Sequence, residues 1–153
     1  MPDLIQLVPQ EQGEFPDVSL SYLFLSCFHC IEPACIPACP NGLLVKRAED
    51  GIVVITDPEQ CAGCQLCAEA CPYDAPKVVT TGKAGIVKCN LCLDRLGDGK
   101  APVCVTTCPT EALDVGPMEE LIAKYGELRE LEGFADYRKT NPSIIFRAMD
   151  LEK

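Results

Sequence analysis

Twelve of the chain's 153 residues are cysteine, and they fall into three groups of four. The first is Cys27, Cys30, Cys35 and Cys39, the second Cys61, Cys64, Cys67 and Cys71, and the third Cys89, Cys92, Cys104 and Cys108. Proline follows the last cysteine of each group. The chain then reads Pro40-Asn41-Gly42-Leu43, Pro72-Tyr73-Asp74-Ala75 and Pro109-Thr110-Glu111-Ala112. This is an internal repeat of irregular period. Aromatic packing cannot organise its middle: there is no Trp, and none of the four Tyr and five Phe falls between residues 74 and 124. Something else must fill or tie that centre.

Three kinds of cross-link compete. Disulfides belong to oxidising compartments. Residues 1–26 hold no Lys or Arg, hence no basic n-region of a signal peptide. A cytoplasmic chain is expected, with export on a signal-bearing partner left open. Four-thiolate zinc sites draw on two separated C-x2-C pairs. The second group instead reads C-x2-C-x2-C-x3-C-P, which matches the bacterial ferredoxin run for iron–sulfur ligation. Three thiolates in a short loop can wrap one face of a cubane, and Gly63 lets the chain turn between the first two. Cys67 and Cys71 are one helical turn apart, so their sulfurs leave at different heights. In two-cluster ferredoxins the fourth cysteine ligates the other cluster. Carried over, this gives one set of Cys27, Cys30, Cys35 and Cys71, and a second of Cys61, Cys64, Cys67 and Cys39. The third group has no partner motif left, so Cys89, Cys92, Cys104 and Cys108 are expected to bind one cluster among themselves. Twelve ligands then hold three [4Fe–4S] clusters.

The formal charge of −10 argues against nucleic acid, which needs a basic surface. With 48% hydrophobic residues the chain is not a disordered one. No apolar run reaches the roughly 18 residues of a membrane span. Lys77, Lys83, Lys88, Arg95 and Lys100 lie near the second and third groups. They read either as a solvated face or as charges offsetting those of the clusters. His29, between two ligands, reads as a packing or hydrogen-bonding residue more readily than as a ligand or a proton-coupled tuner. Arg95 reads as a salt-bridged loop residue.

The expected fold class is α+β, bacterial ferredoxin-like: a two-cluster core elaborated with a third module, built of short hairpins and helical turns. Residues 1–19 read as a polar lead-in and 20–116 as the polyferredoxin core. Within it, Ser21–Ser26 is a strand, Leu43–Arg47 and Gly51–Thr56 a hairpin, Ala84–Lys88 a strand, Leu93–Val103 a loop and Leu113–Val115 a last strand. Pro117 opens a helix, segment 117–131, that runs to about Glu130, with Leu121, Ile122, Tyr125, Leu128 and Leu131 recurring on one face. The apolar tail 132–153 reads as an arm docked on a partner subunit more readily than on its own domain.

The runs Cys27-Phe-His-Cys-Ile-Glu-Pro-Ala-Cys, Cys61-Ala-Gly-Cys-Gln-Leu-Cys, Cys89-Asn-Leu-Cys-Leu-Asp-Arg-Leu and Pro102-Val-Cys-Val-Thr-Thr-Cys-Pro resemble the iron–sulfur electron-transfer subunits of the dimethyl sulfoxide reductase group. These serve molybdenum or tungsten bis-pterin enzymes such as formate dehydrogenases. The resemblance covers about residues 20–116. It implies a non-catalytic subunit relaying single electrons between a large catalytic subunit and an external donor or acceptor, such as a flavin or ferredoxin partner. Family members commonly carry four cysteine groups, and the last exchanges its fourth cysteine with the first. The usual first group is missing here, a second reason to expect self-contained ligation by the third. The shortened form is similar to the small subunits of tungsten enzymes: a formate dehydrogenase, an aldehyde oxidoreductase or a class II benzoyl-coenzyme A reductase. The other readings are a free polyferredoxin or hydrogenase-linked carrier, and, from another class, a structural metal-binding adaptor or cluster-based sensor.

Overall fold

The computed structural model describes residues 2–79, 82 and 85–147. Its strands pair only two by two. The antiparallel ribbons are β1 (Gln6–Gln12) with β2 (Ser19–Leu25), β3 (Leu44–Lys46) with β4 (Val53–Ile55), and β5 (Lys77–Val79) with β6 (Gly85–Val87). Four short helices complete the described secondary structure apart from two single 3-10 turns: α1 (Leu66–Glu69), α2 (Leu93–Gly97), α3 (Val103–Thr107) and α4 (Met118–Tyr125). This is small, mixed α and β content, and the cysteine loops run between its elements. No helix among the described residues is long and apolar enough to cross a membrane.

The β3–β4 ribbon forms where the alternation placed it. Arg47 pairs with Glu49 and Asp50 across the turn, Asp50 accepts the Ile52 N–H, and Gly51 takes φ 71°. The ribbon supplies the core: Leu44 and Val53 are each 1% exposed and pack with Ile86 and Cys67. Around them lie Cys35, Cys39 and Cys61 beside Ile36 and Ile55. Thiols are therefore part of the core itself.

Several elements differ from the sequence expectation. The lead-in is a strand: β1 pairs along the whole of β2, from Gln6 opposite Leu25 to Gln12 opposite Ser19. Leu7, Leu20, Tyr22 and, at the tip, Phe15 are exposed. A ribbon with one apolar face turned to solvent carries no inside–outside pattern by which to recognise it. Gly13 closes its turn at φ 91°, where a Cβ would lie 2.1 Å from the Asp17 carbonyl oxygen. The segment expected as a loop contains α2: Arg95 and Leu96 donate backbone bonds to the Cys92 carbonyl, and Gly97, Gly99 and Pro102 stop the helix after five residues. Leu113–Val115 forms no strand. α4 ends at Tyr125 rather than near Glu130, because Gly126 adopts φ 87° and closes the last turn on the Ile122 carbonyl. The start of the strand expected over Ala84–Lys88 and the final residues of the tail, Met149 included, lie outside the described residues.

The described tail folds onto its own domain, not away from it. Phe134 sits among Phe28, Tyr73 and Phe146, at centroid distances of 5.6, 5.0 and 4.9 Å. Ile31 and Glu32 donate N–H bonds to the Asn141 and Thr140 carbonyls, and Ser143 donates its N–H to Phe28 and its hydroxyl to His29. Arg129 clasps the same stretch through the Asn141 side chain and the Pro142 carbonyl. The tail's apolar residues thus cover the loop that carries Cys27 and Cys30.

Candidate metal centres

The three cysteine groups differ in their middle interval but share their first and last intervals, and with them a backbone. The residue two beyond the first cysteine of each group is left-handed: His29 at φ 45°, Gly63 at 66° and Leu91 at 55°. So is the residue three beyond each last cysteine: Gly42 at 61°, Asp74 at 48° and Glu111 at 52°. In each of these tails its N–H returns to the cysteine carbonyl, at 3.1, 3.2 and 3.2 Å. Proline starts the turn with its φ already set, and the left-handed residue reverses the chain. Successive N–H groups in such turns make concavities that receive anions.

In the first and third tails the next N–H along turns to the sulfur. Leu43 N–H donates to Cys39 Sγ and Ala112 N–H to Cys108 Sγ, each at 3.4 Å. Burial pushes the Cys39 thiol up, but the N–H groups of Leu43, Asn41, Leu44 and Gly42 outweigh it, and the thiol lies below its ordinary value. Cys108 is also held below its ordinary value, by the Thr110 hydroxyl first and the Ala112 and Thr110 N–H groups next. Leu91 N–H donates to Cys89 Sγ at 3.3 Å.

The electrostatic neighbours sort the thiols. Burial pushes Cys35 up to about 12, and the nearby Cys27, Cys71 and Cys30 add to it, against a smaller pull from Lys88. Cys30 is raised by burial and then, against its hydrogen bond with Thr140, by Cys27 and Cys71. Cys67 is raised by burial, then by Cys39, Cys64 and Cys61. Cys71 thus stands with the first group and Cys39 with the second. Cys104 is raised by burial, then by Cys89 and Cys92. What dominates at Cys108 is its own tail's donors.

These thiols fit iron–sulfur clusters by their chemistry. All twelve are unpaired. Among the described residues no three Cys, His, Asp or Glu side chains converge closely enough to hold a single ion, whereas a zinc ion gathers four thiolates at about 2.3 Å. A cubane takes each thiolate on a different iron corner, so its ligands stand apart. Iron must displace the proton of each raised thiol, and the N–H donors help to hold the resulting anion.

The neighbouring residues fall into place. His29 is buried, with Nδ1 accepting the Val53 N–H at 3.0 Å and Nε2 unpartnered among the described residues. Burial and Lys88 push it down to about 3. Hydrogen bonding to the β3–β4 ribbon through Val53 is the part the structure shows for it. Lys88 is buried, and its ammonium donates to the Val53 and Cys89 carbonyls. Lys77 pairs with Asp74 and Lys100 with Asp98, while Lys83 lies outside the described residues. Arg95 makes its bond to the Ala101 carbonyl, at 2.8 Å, and pairs with no carboxylate among the described residues. Thr140 and Tyr73 are contacts that sequence reasoning does not reach. The Thr140 hydroxyl lies 3.4 Å from Cys30 Sγ and 3.3 Å from the Tyr73 hydroxyl. Nothing local announces a threonine 110 residues from its cysteine.

Repeated thiolate loops around a small mixed core, with N–H groups aimed at sulfur, define an iron–sulfur protein. Residues 18–118 match the 4Fe-4S dicluster domain, and the chain thus belongs to that family. It is 45% identical over 126 residues to a polypeptide of the anaerobic dimethyl sulfoxide reductase of Escherichia coli, covering 82% of this chain and 60% of that one. It is 39% identical over 116 residues to a subunit of the sulfite dehydrogenase of Allochromatium vinosum, covering 72% and 48%. It is 43% identical over 112 residues to the beta subunit of the perchlorate reductase of Dechloromonas aromatica, covering 72% and 33%. The chain spans between a third and three-fifths of the length of these relatives.

Proposed function

We propose that this chain is the electron-transfer subunit of an oxidoreductase complex. It would bind a large molybdenum or tungsten bis-pterin catalytic subunit and exchange single electrons with an external donor or acceptor such as a flavin or ferredoxin partner. The ligand sets of this reading are Cys27, Cys30, Cys35 and Cys71 for the first [4Fe–4S] cluster, Cys61, Cys64, Cys67 and Cys39 for the second, and Cys89, Cys92, Cys104 and Cys108 for the third. The fold of the reading is ferredoxin-like, with a third module added to a two-cluster core. When bound, the clusters supply one-electron chemistry. The chain's residues hold them apart and set their surroundings: N–H groups face the sulfurs, and the tail shields the first loop. Names of reductase and dehydrogenase subunits among the relatives support the complex. So does the exposed apolar face of the β1–β2 ribbon, a surface of the kind that marks interaction sites.

One observation carries the reading: the fourth cysteines of the first two groups stand with each other's thiols. Cys71 neighbours Cys30 and Cys35, and Cys39 neighbours Cys67. The third set rests on Cys104 beside Cys89 and Cys92, with Cys108 completing the count. The test is anaerobic purification of the complex with iron and sulfide analysis, followed by single serine variants. About twelve irons per chain, a stoichiometric pterin-bearing large chain, and loss of the first cluster in Cys71→Ser are expected. Zinc in place of iron, or a chain that is stable, monomeric and cluster-replete alone, overturns the reading. Survival of the third cluster in Cys108→Ser overturns that set alone.

A further inference from the structure

The Thr140 hydroxyl is buried, 2% exposed, between two partners: Cys30 Sγ at 3.4 Å and the hydroxyl of Tyr73, itself 4% exposed, at 3.3 Å. It owns one hydrogen and can send it only one way. If Cys30 is a free thiol, its S–H can donate to Thr140, which then donates to Tyr73. If Cys30 is an iron ligand, as the proposed function has it, its sulfur is a thiolate and accepts only. The chain must then run in the other direction, Tyr73 O–H to Thr140 and Thr140 O–H to Cys30 Sγ. Ligation thus fixes a donor on this sulfur, itself polarised by a second donor behind it.

The backbone holds this hydroxyl in place. The carbonyls of Thr140 and Asn141 accept the N–H groups of Glu32 and Ile31 at 3.0 and 2.8 Å, and Ser143 N–H bonds Phe28 O at 3.0 Å. Three backbone bonds therefore join the tail to the loop that carries Cys27 and Cys30. We infer that Thr140, backed by Tyr73, is a positioning residue of the C-terminal tail that raises the reduction potential of the cluster held by Cys30. A hydrogen bond to a ligand sulfur draws off charge and so favours the reduced, more negative state. The inference rests on the ligand set proposed above. It makes the tail part of that centre's electrostatics as well as its cover.

The test is a potentiometric titration of the purified complex, followed by the electron paramagnetic resonance of each reduced cluster. Thr140→Val keeps the shape and removes the donor. It is expected to lower the midpoint of one cluster and leave the other two unmoved. Thr140→Ser keeps the wild-type value. Tyr73→Phe moves the same cluster in the same direction by less, because Thr140 still donates. A Thr140→Val complex with full iron content and an unmoved midpoint overturns the inference, as does an equal shift in every cluster. If Thr140→Val loses the cluster outright, Tyr73→Phe decides: a selective fall supports the inference, and an unmoved midpoint refutes it. Cys30→Ser separates this from failure of the ligand reading. If all clusters survive that variant, the ligand set is wrong. If one is lost while Thr140→Val moves nothing, only the role of Thr140 is.

Discussion

Phe134→Ala should release the tail from the first cysteine loop without unfolding the domain. The ring is the hub of the aromatic group, in contact with Phe28, Tyr73 and Phe146 at once. Removing a fully buried Phe costs about 3–5 kcal/mol. Phe134 is half-buried, so about 2 kcal/mol is the share from burial. The geometry of its ring pairs adds about 1 kcal/mol. A total near 3 kcal/mol is about a hundredfold in the open population of the tail. Amide exchange of the holoprotein, followed by mass spectrometry, measures this at defined places. The amides of Ile31, Glu32 and Ser143 bridge tail and loop, whereas those of Arg47 and Thr56 bond within the β3–β4 region. Protection should fall by about a hundredfold at the first three and stay within a few-fold at the last two. A uniform loss would mean that Phe134 belongs to the global core. A loss below about tenfold at Ile31 would refute the hub.

Lys88→Met should lower the potential of the clusters nearest it, whereas Lys88→Arg largely preserves it, because the ammonium is a buried cation that draws on the Cys35 and Cys89 thiolates. A redox titration in which both variants match wild type would remove Lys88 from the electrostatics. Gly13→Ala should destabilise the β1–β2 ribbon by about 1–2 kcal/mol, since φ is positive there and the new Cβ meets a carbonyl; limited proteolysis at the exposed Phe15 should quicken by roughly tenfold. Asp114 accepts from Lys124 and Tyr125 at 2.8 and 2.6 Å, which together with the Val115 N–H hold its carboxyl at about 2. A depressed carboxylate stabilises fully above its unfolded value near 4 and loses that contribution as pH falls through about 2. Asp114→Asn should therefore lower the Tm of the protein by the same small amount at every pH from about 5 to 8; a difference that changes across that range would contradict the assignment.

The site is more legible than the fold, and the repeat shows why. Cysteine identity and spacing are written in the sequence because a cluster demands sulfur at fixed intervals. The turns around the cysteines demand left-handed backbone at six equivalent places, and glycine stands at only two of them, Gly42 and Gly63. His29, Leu91, Asp74 and Glu111 hold the same conformation against their intrinsic preference. Bonds of the loop hold them there: Val53 to His29, Leu91 to Cys89 Sγ, and Asp74 and Glu111 to the preceding cysteine carbonyls. A residue forced by its neighbours leaves no mark of its own. The same holds for α2, whose five residues carry too short a period to read, and for β1, whose exposed apolar face breaks the pattern that burial would impose.

The tail's destination is hidden for a related reason. Its apolar residues are plain in the sequence, but where they go depends on Phe28 and Tyr73, which are isolated aromatics until the fold joins them. Burial supplies the missing logic. Among the described residues the buried polar side chains are Ser26, His29, Lys88 and Thr140. Ser26 precedes Cys27 and donates its hydroxyl to the Leu4 carbonyl, His29 lies between Cys27 and Cys30, Lys88 precedes Cys89, and Thr140 touches Cys30. Each of them makes a hydrogen bond, which offsets the cost of its burial. The cavity that Cys61, Cys64 and Cys67 share with Cys39 is lined by Leu43, Leu44, Ile55 and Ile86, with Asn41 and Gln65. The polarity of this protein therefore gathers where the first and third groups meet. On the inference drawn for Thr140, a tail that brings one more hydroxyl to that place acts on the centre it covers.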